Sequence, residues 1–245
     1  MSSDPYDYSL SEPDKPAKAI DSGLYIVATP IGNLADMSHR AIDMLRAADL
    51  IAVEDSRVTG KLLHHLGLKK RMRPYHDHSS EADRDALLAV ARDGVVVLVS
   101  DAGTPLISDP GYKLVRAARE AGIAVSTAPG ASAVIAALSI SGLPTDRFLF
   151  VGFLLSKAKA RSDAIAEIGN VKSTLVFYES GQRLGAALAA LAEQLGGREA
   201  VVARELTKKF EEVVSGTLPE LAERYAEAEP KGEIVLIVGP PGEVQ

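Results

Sequence analysis

The longest turn-rich segment of the chain follows an apolar run, and its residue types suit the binding of a ligand. After Val95–Val99 the sequence continues S-D-A-G-T-P-L-I-S-D-P-G over residues 100–111. Gly103 permits a close approach of the backbone to a ligand, and Pro105 stiffens the loop. Twelve residues is long for a strand-to-helix connection, and long ordered loops are usually functional. The alternative is a structural loop whose final S-D pair caps the next helix.

Three other turns follow predicted strands in the same way. Residues 129–133, P-G-A-S-A, form a glycine turn that opens a helix, where exposed N–H groups favour a carboxylate or a phosphate. An ordinary helix start is equally compatible with that turn. The segments P-I-G-N-L at 30–34 and Y-E-S at 178–180 are the other two. Because ligands bind beyond the carboxyl ends of parallel strands, we expect the four turns to line a cleft between two domains.

Several well-known signatures are absent from the sequence. It has no G-x-x-x-x-G-K-[ST], no G-x-G-x-x-G after the first strand, and no H-E-x-x-H or G-x-S-x-G. A P-loop enzyme and a dinucleotide-dependent dehydrogenase are therefore not expected. The chain has no cysteine, which excludes a disulfide scaffold, a zinc ribbon and a cysteine nucleophile. The histidine clusters at 64–65 and 76–78 lack an evident third ligand, so we predict no metal site.

The elements that must position these turns alternate between strand and helix. In the first half, the strands are predicted at 24–29, 50–53, 73–75, 95–100 and 123–127, with periodic helical stretches between them. This alternation predicts an α/β fold with a mainly parallel sheet covered by helices on both faces. The turn formers at 141–146 mark a boundary. We therefore expect a disordered tail at 1–22, an N-terminal α/β domain at 23–142 and a C-terminal α/β domain at 143–245.

Composition describes an ordinary globular chain with one local exception in its charge. The 245 residues are 47% hydrophobic and 24% charged, with a formal net charge of −6. No run is long enough to span a membrane and no secretory signal is seen, so we expect a cytoplasmic protein. Between residues 57 and 73, however, there are only basic charges. We predict that this segment binds RNA, against the alternative of a solvated surface: Arg57, Lys61, Lys69, Lys70, Arg71 and Arg73.

Eight blocks in order give the chain a family resemblance. They are VATPIGNLADMSHRA, VEDSR, LVSDAGTPLISDPG, PGASA, SGLPTDRF, FYES, ARELTKKFEE and KGEIVLIVG. The chain resembles the tetrapyrrole methylase superfamily of S-adenosylmethionine-dependent methyltransferases from Tyr25 to Gly239. The first and third blocks are most similar to the branch that acts on RNA. The resemblance implies 2'-O-methylation of a cytidine, number 1402, at the decoding site of 16S rRNA in the small ribosomal subunit, by a homodimer.

The resemblance also implies which residues bind the cofactor, S-adenosylmethionine, in a cleft between the two α/β domains. The positions that match family contacts are Pro30, Gly103, Thr104, Pro105, Ile107, Ser132, Ala133, Tyr178 and Gly232. We add Asp101 on physical grounds, because a carboxylate near a sulfonium cation is favourable; a loop-capping role is the alternative. The chain departs from the family pattern at Gly60, Ser79 and Gly181-Gln182. These departures affect side chains expected near RNA and leave the cofactor loops intact.

Four residues are candidates for the chemistry of methyl transfer. A ribose hydroxyl is a weak acid, so a general base would contribute roughly 10²–10⁴-fold. Glu179 and Glu205 are the candidate bases, and Arg204 and Lys231 are candidate electrostatic helpers; each could instead be an interdomain salt-bridge partner. Two other functions stay open. One is methylation of a tetrapyrrole or a diphthamide precursor, and the other is a non-catalytic RNA-binding module.

Overall fold

A computed structural model describes residues 20–242 of the chain. The tail predicted at 1–22 lies almost wholly outside the described residues. The strands are β1 Gly23–Val27, β2 Leu50–Val53, β3 Met72–Pro74, β4 Val95–Val99, β5 Val125–Ala128, β6 Phe148–Phe153, β7 Thr174–Ser180, β8 Glu199–Arg204, β9 Glu212–Thr217 and β10 Glu233–Val238. The α-helices are α1 His39–Ala47, α2 Ser56–His65, α3 Glu81–Asp93, α4 Tyr112–Glu120, α5 Ala133–Ser141, α6 Ala158–Ile168, α7 Gly181–Leu195 and α8 Leu218–Arg224.

The chain divides into two compact units. The first unit comprises the described residues up to Pro30 together with Leu34–Ala131, and the second comprises Ile31–Asn33 and the described residues from Ser132 onward. The first unit holds a five-stranded sheet in the order β3-β2-β4-β1-β5, and every pairing in it is parallel. This arrangement confirms the α/β fold class predicted from the alternation of strands and helices.

Burial on both faces explains why the central strand of the first sheet is apolar throughout. Val95, Val97 and Val99 pack with residues of α1 and α2 on one face. Val96 and Leu98 pack with residues of α3 and α4 on the other face. Successive side chains of a strand point to opposite faces, so a strand covered twice needs apolar residues at every position.

The second unit contains a mixed sheet in the order β6-β7-β10-β8-β9. Strand β6 pairs in parallel with β7, whereas β10 is antiparallel to both β7 and β8, and β8 is antiparallel to β9. Helices α6, α7 and α8 cover one face, with Phe177 and Leu236 fully buried beneath them.

Helix α5 belongs to the second unit, although the expected boundary after residue 142 placed it in the first domain. Its buried residues Val134, Ala137 and Leu138 form a core with the second sheet, including Val176 and Ile237. The helix is apolar on nearly all sides, so its composition alone does not indicate which sheet it covers. Among the described helices, none is long and apolar enough to cross a membrane.

Candidate functional site

The loop at residues 100–111 has an unusual backbone. Gly103 has a φ of +77° and exchanges two hydrogen bonds with the backbone of Thr29, at 2.8 and 3.0 Å. Leu106 and Ser108 have φ values of +73° and +62°, although neither is glycine. Left-handed conformations of this kind cost about 1–3 kcal/mol each and persist where the surrounding contacts impose them. The strain favours a binding role for this loop over a purely connecting one.

This loop presents both apolar and polar groups. Pro105 is buried, whereas Ile107 is 41% exposed. The hydroxyl of Thr104 donates to the carbonyl oxygen of Ala131 at 3.0 Å, which fixes the middle of the loop. The first unit therefore brings together, at the carboxyl ends of β1 and β4, five of the residues implied as cofactor contacts: Pro30, Gly103, Thr104, Pro105 and Ile107.

Three carboxylates cluster at this loop, two within it and one after β2: Asp101, Asp109 and Glu54. The backbone N–H of Asp55 donates to Oδ1 of Asp101 at 3.0 Å, and the backbone N–H of Asp101 lies 3.5 Å from Oε2 of Glu54. Burial, followed by the negative charges of Asp109 and Asp101, raises the pKa of Glu54. Burial also raises the pKa of Asp109. A cation placed here would stabilise the ionised carboxylates and lower both pKa values.

The start of α5, in the second unit, has no side-chain cap over the backbone N–H groups of its first turn. Ser132 occupies the N-cap position, but its side chain makes no capping hydrogen bond. Ser132 and the next residue, Ala133, are half-buried. The first-turn N–H groups of a helix favour a carboxylate or a phosphate. The sequence-based expectation of an anion-binding turn is thus compatible with the local geometry.

Glu205, one of the two candidate bases, is engaged by the protein itself. Its Oε1 accepts hydrogen bonds from Nζ of Lys208 at 2.8 Å and from the backbone N–H of Glu233 at 3.1 Å. The Lys208 hydrogen bond is the main reason why the pKa of Glu205 is lowered. Gly232 has a φ of +105°, and a Cβ atom there would collide with the Glu205 carboxylate. Glu205 therefore anchors the turn at Gly232, and its low pKa makes it a weak proton acceptor.

Arg204 also makes contacts within its own unit. Its Nε donates to Oε2 of Glu212 at 3.1 Å, and its Nη1 donates to the carbonyl oxygen of Lys231 at 3.0 Å. These bonds tie β8 to β9 and to the segment before β10. Lys231 is exposed, whereas Glu179 is buried and Arg204 and Glu205 are half-buried. Among the four catalytic candidates, the ammonium group of Lys231 is therefore the charge that is open to solvent.

Glu179, the other candidate base, is buried, with its side chain only 1% exposed. Its Oε1 accepts from the backbone N–H of Ser180 at 2.9 Å and lies 3.2 Å from Nε of Arg183. Its Oε2 is buried and has no hydrogen-bond partner among the described residues. Burial raises the pKa of this carboxyl. The contacts favour a role in positioning the end of β7 and the start of α7.

Tyr178, which precedes Glu179, lies in an aromatic cluster. Its ring meets the ring of Phe150 edge-on with 4.9 Å between centroids, and the ring of Phe153 at 5.6 Å. Tyr178 is half-buried against the core beneath α5.

Comparison with known proteins decides the family. The family model described as tetrapyrrole (corrin/porphyrin) methylases matches residues 23–222. The chain belongs to the tetrapyrrole methylase family. It is 56% identical over 230 residues to the ribosomal RNA small subunit methyltransferase I of Erythrobacter litoralis, covering 94% of this chain and 82% of that protein.

Solved structures that are less than 25% identical to this chain share its fold. Diphthine synthase superposes with a TM-score of 0.68 and 17% identity over 88% of this chain and 89% of its own. A uroporphyrin-III C-methyltransferase from Thermus thermophilus, solved in complex with S-adenosylhomocysteine, gives a TM-score of 0.59 and 24% identity over 89% and 97% of the two chains.

The basic segment of this tetrapyrrole methylase divides into engaged and free cations. Arg57 pairs with Asp55 and Arg73 with Asp83, while Nζ of Lys70 donates to the carbonyl oxygen of Ala48. The Arg57 and Arg73 contacts lower the pKa of Asp55 and of Asp83 to about 2. The other three are exposed and make no ion pair or side-chain hydrogen bond within residues 20–242: Lys61, Lys69 and Arg71.

Sequence reasoning missed two members of the carboxylate cluster. Glu54 belongs to the VEDSR block and directly follows β2, which was the available signal, whereas Asp109 lies at the far end of the long loop, shortly before α4. Within the described part of the chain, no group of three or more potential ligand side chains has the arrangement needed to hold a metal ion.

One departure from the family pattern has a structural reason. A Cβ atom on Gly181 would collide with the carbonyl oxygen of Pro230, so glycine lets the start of α7 touch the segment that leads to Lys231.

Proposed function

We propose that this protein transfers the methyl group of S-adenosylmethionine to the 2'-oxygen of a ribose in 16S ribosomal RNA. The observation that carries this proposal is the 56% identity, over 94% of the chain, to a relative named ribosomal RNA small subunit methyltransferase I. Identity at that level over nearly the whole chain favours a shared substrate class. The target cytidine, number 1402, is part of the proposal and follows from the motif resemblance.

The residues of the loops fit S-adenosylmethionine chemically. This ligand carries a sulfonium and an ammonium cation, a carboxylate and an apolar-faced adenine. The carboxylate cluster suits the cations, the uncapped start of α5 at Ser132 suits the carboxylate, and the exposed side chain of Ile107 suits the adenine. Gly103 allows the backbone to approach closely. We propose these contacts together with Tyr178 and Gly232 of the second unit.

When bound, S-adenosylmethionine supplies an electrophilic methyl carbon, to which the ribose 2'-oxygen bonds as the carbon–sulfur bond breaks and the hydroxyl proton leaves. The protein's part is to align the hydroxyl and to exclude other orientations, an effect that can outweigh proton transfer. Glu179 and Glu205 are held by Arg183 and Lys208, so we assign them positioning roles. Lys231 is the exposed cation available to a phosphate of the substrate.

The proposed partner is 16S rRNA or the small ribosomal subunit, and the proposed site of action is the cytoplasm. The free cations Lys61, Lys69 and Arg71 support an RNA partner, because phosphates are recognised by exposed basic side chains. We propose a homodimer by resemblance to the family.

Incubation with labelled S-adenosylmethionine tests the function. Small ribosomal subunits lacking the modification should accept the label on a ribose 2'-oxygen, whereas a tetrapyrrole and diphthamide precursor should not. Label in either of the latter would assign a different substrate to the same fold. RNA binding without any transfer would indicate a non-catalytic module. A Gly103→Val variant serves as the control for transfer at the proposed cofactor loop.

A further inference from the structure

An exposed aromatic side chain stands at the end of β6 and takes no part in the core. Phe153 is 54% exposed, yet its neighbours Gly152 and Leu154 are both buried. The guanidinium of Arg183 donates to the carbonyl oxygen of Leu154 and so fixes the backbone just after it. The ring is thus exposed to solvent on a backbone that a side-chain hydrogen bond holds in place.

A β-bulge gives Phe153 its direction. The register of β6 against β7 shifts between Phe150 and Gly152, so that Phe150 pairs with Val176 and Phe153 pairs with Tyr178. Without the extra residue, Phe150 and Phe153 would point to opposite faces of the sheet, because side chains alternate along a strand. The bulge puts both rings on the face of Tyr178, whose ring supports that of Phe153 at 5.6 Å.

The residues that follow are basic. Lys157 and Lys159 are exposed, and residues 153–162 contain no acidic side chain. Four residues of chain keep Lys157 within about 14 Å of Phe153. Lys159 pairs with Asp163 at 2.9 Å, but both side chains are largely exposed, so the pair is weak and a phosphate can compete for the lysine.

We propose that Phe153, supported by Tyr178, stacks on an unpaired base of the RNA substrate while Lys157 and Lys159 bind neighbouring phosphates. The combination of an exposed ring with nearby cations is the chemistry by which proteins hold single-stranded RNA. The adenine of the cofactor is an alternative partner for the ring, but its binding would not require the lysines. A second copy of this chain is another alternative partner, and it would not require them either. The proposal rests on the proposed function, since it assigns a subsite for that RNA.

The chain contains no tryptophan, which gives a direct reporter. A Phe153→Trp variant should keep its affinity for single-stranded oligocytidylate, and its fluorescence should be quenched by that RNA but not by an abasic chain of the same length. S-adenosylmethionine should change the fluorescence much less than the RNA does, since it is proposed to contact Tyr178 and not the ring at 153. Phe148, which is 43% exposed at the other end of the same strand, is the matched control: Phe148→Trp should not respond.

Phe153→Ala should weaken oligocytidylate binding by about five- to one-hundred-fold, with unchanged binding of the abasic chain and of S-adenosylmethionine. Phe148→Ala should bind like the wild type.

Quenching by S-adenosylmethionine alone would assign the ring to the cofactor and overturn the proposal. A smaller sedimenting species for Phe153→Ala would assign it to a contact between copies and also overturn it. If the wild type methylates subunits but Phe153→Ala binds RNA normally, only the stacking subsite fails. A wild type that neither binds RNA nor methylates subunits refutes the proposed function itself.

Discussion

The three free cations of the basic segment give a quantitative prediction about salt. Lys61, Lys69 and Arg71 are exposed and make no ion pair within residues 20–242, so each is available to one phosphate. A cation that neutralises a phosphate releases counterions, and each contact adds about 0.7–0.9 to the slope of log affinity against log salt. Changing all three residues to alanine should therefore reduce the slope by about 2–3.

The expected effect is large enough to measure directly. Between 50 and 200 mM salt, a slope difference of about 2–3 means that the wild type loses roughly 16- to 64-fold more affinity than the triple variant. Fluorescence anisotropy of a labelled decoding-site RNA, titrated at several salt concentrations, gives both slopes. Cofactor affinity should stay the same, because the segment lies outside the proposed cofactor loops.

The paired arginines of the same segment provide the control. Arg57 and Arg73 already face Asp55 and Asp83, so they carry little net charge toward a phosphate. The double variant Arg57→Ala with Arg73→Ala should change the slope by less than about 1. An unaltered slope in a folded triple variant would refute the reasoning and assign the segment to a solvated surface. Equal slope changes in the triple and double variants would show that the ion pairs do not decide which cations bind.

Three further predictions concern the cofactor, the fold and Glu179. Asp101→Asn should lower the affinity for cationic S-adenosylmethionine about fivefold while sparing neutral S-adenosylhomocysteine. The reason is that two charges about 5 Å apart interact by a few kcal/mol at most in a half-exposed site. Calorimetry with both ligands measures the two affinities. In the wild type that preference should grow as pH rises through the raised pKa of Glu54, since only the ionised carboxylate attracts the sulfonium, and a pH-independent preference would contradict it. Gly181→Ala should destabilise the fold by about 1–3 kcal/mol through overpacking against the segment at 230, whereas Gly197→Ala, with no atom within 4 Å of its added methyl group, should be near neutral in thermal unfolding. Glu179→Gln should reduce the methylation rate without removing the acidic limb of its pH profile, where the rate rises with pH, because a positioning residue is not the titrating base; loss of that limb would restore the carboxylate as the base.

Much of the first unit follows from local pattern. A run such as Val95–Val99, apolar at every position, can only be buried on both faces, and alternation with amphipathic helices then predicts a parallel sheet. The positions of the loops at the carboxyl ends of the strands follow from that topology, which is why the predicted contacts around Gly103 lie together. The motif resemblance added the family, which the comparison confirmed.

Contacts distant in sequence could not be predicted. The apolar helix α5 carries no polar face to indicate its sheet, so its place in the second unit depends on packing against residues such as Ile237. The bulge in β6 leaves no unambiguous mark in F-L-F-V-G-F, and Phe153 could be placed on either face. Lys208 lowers the pKa of Glu205 through a contact that the backbone at 205–208 creates. No charge pattern in the sequence predicts that this candidate base is already paired with a lysine.

Backbone strain gives an argument for the functional loops that does not depend on family resemblance. Among the described residues, four that are not glycine have a positive φ: Leu106, Ser108, Glu205 and Thr207. Two lie in the loop at 100–111 and two in the loop after β8, so the strain is confined to the loops that carry the proposed site residues of each unit. The side-chain oxygen of Thr207 is also buried without a hydrogen-bond partner in the described chain. Such conformations cost free energy at each position and persist where surrounding contacts hold them, as the core packing of Leu106 and the hydrogen bonds of Glu205 do. Their confinement to two loops favours the proposal that these backbones meet a ligand.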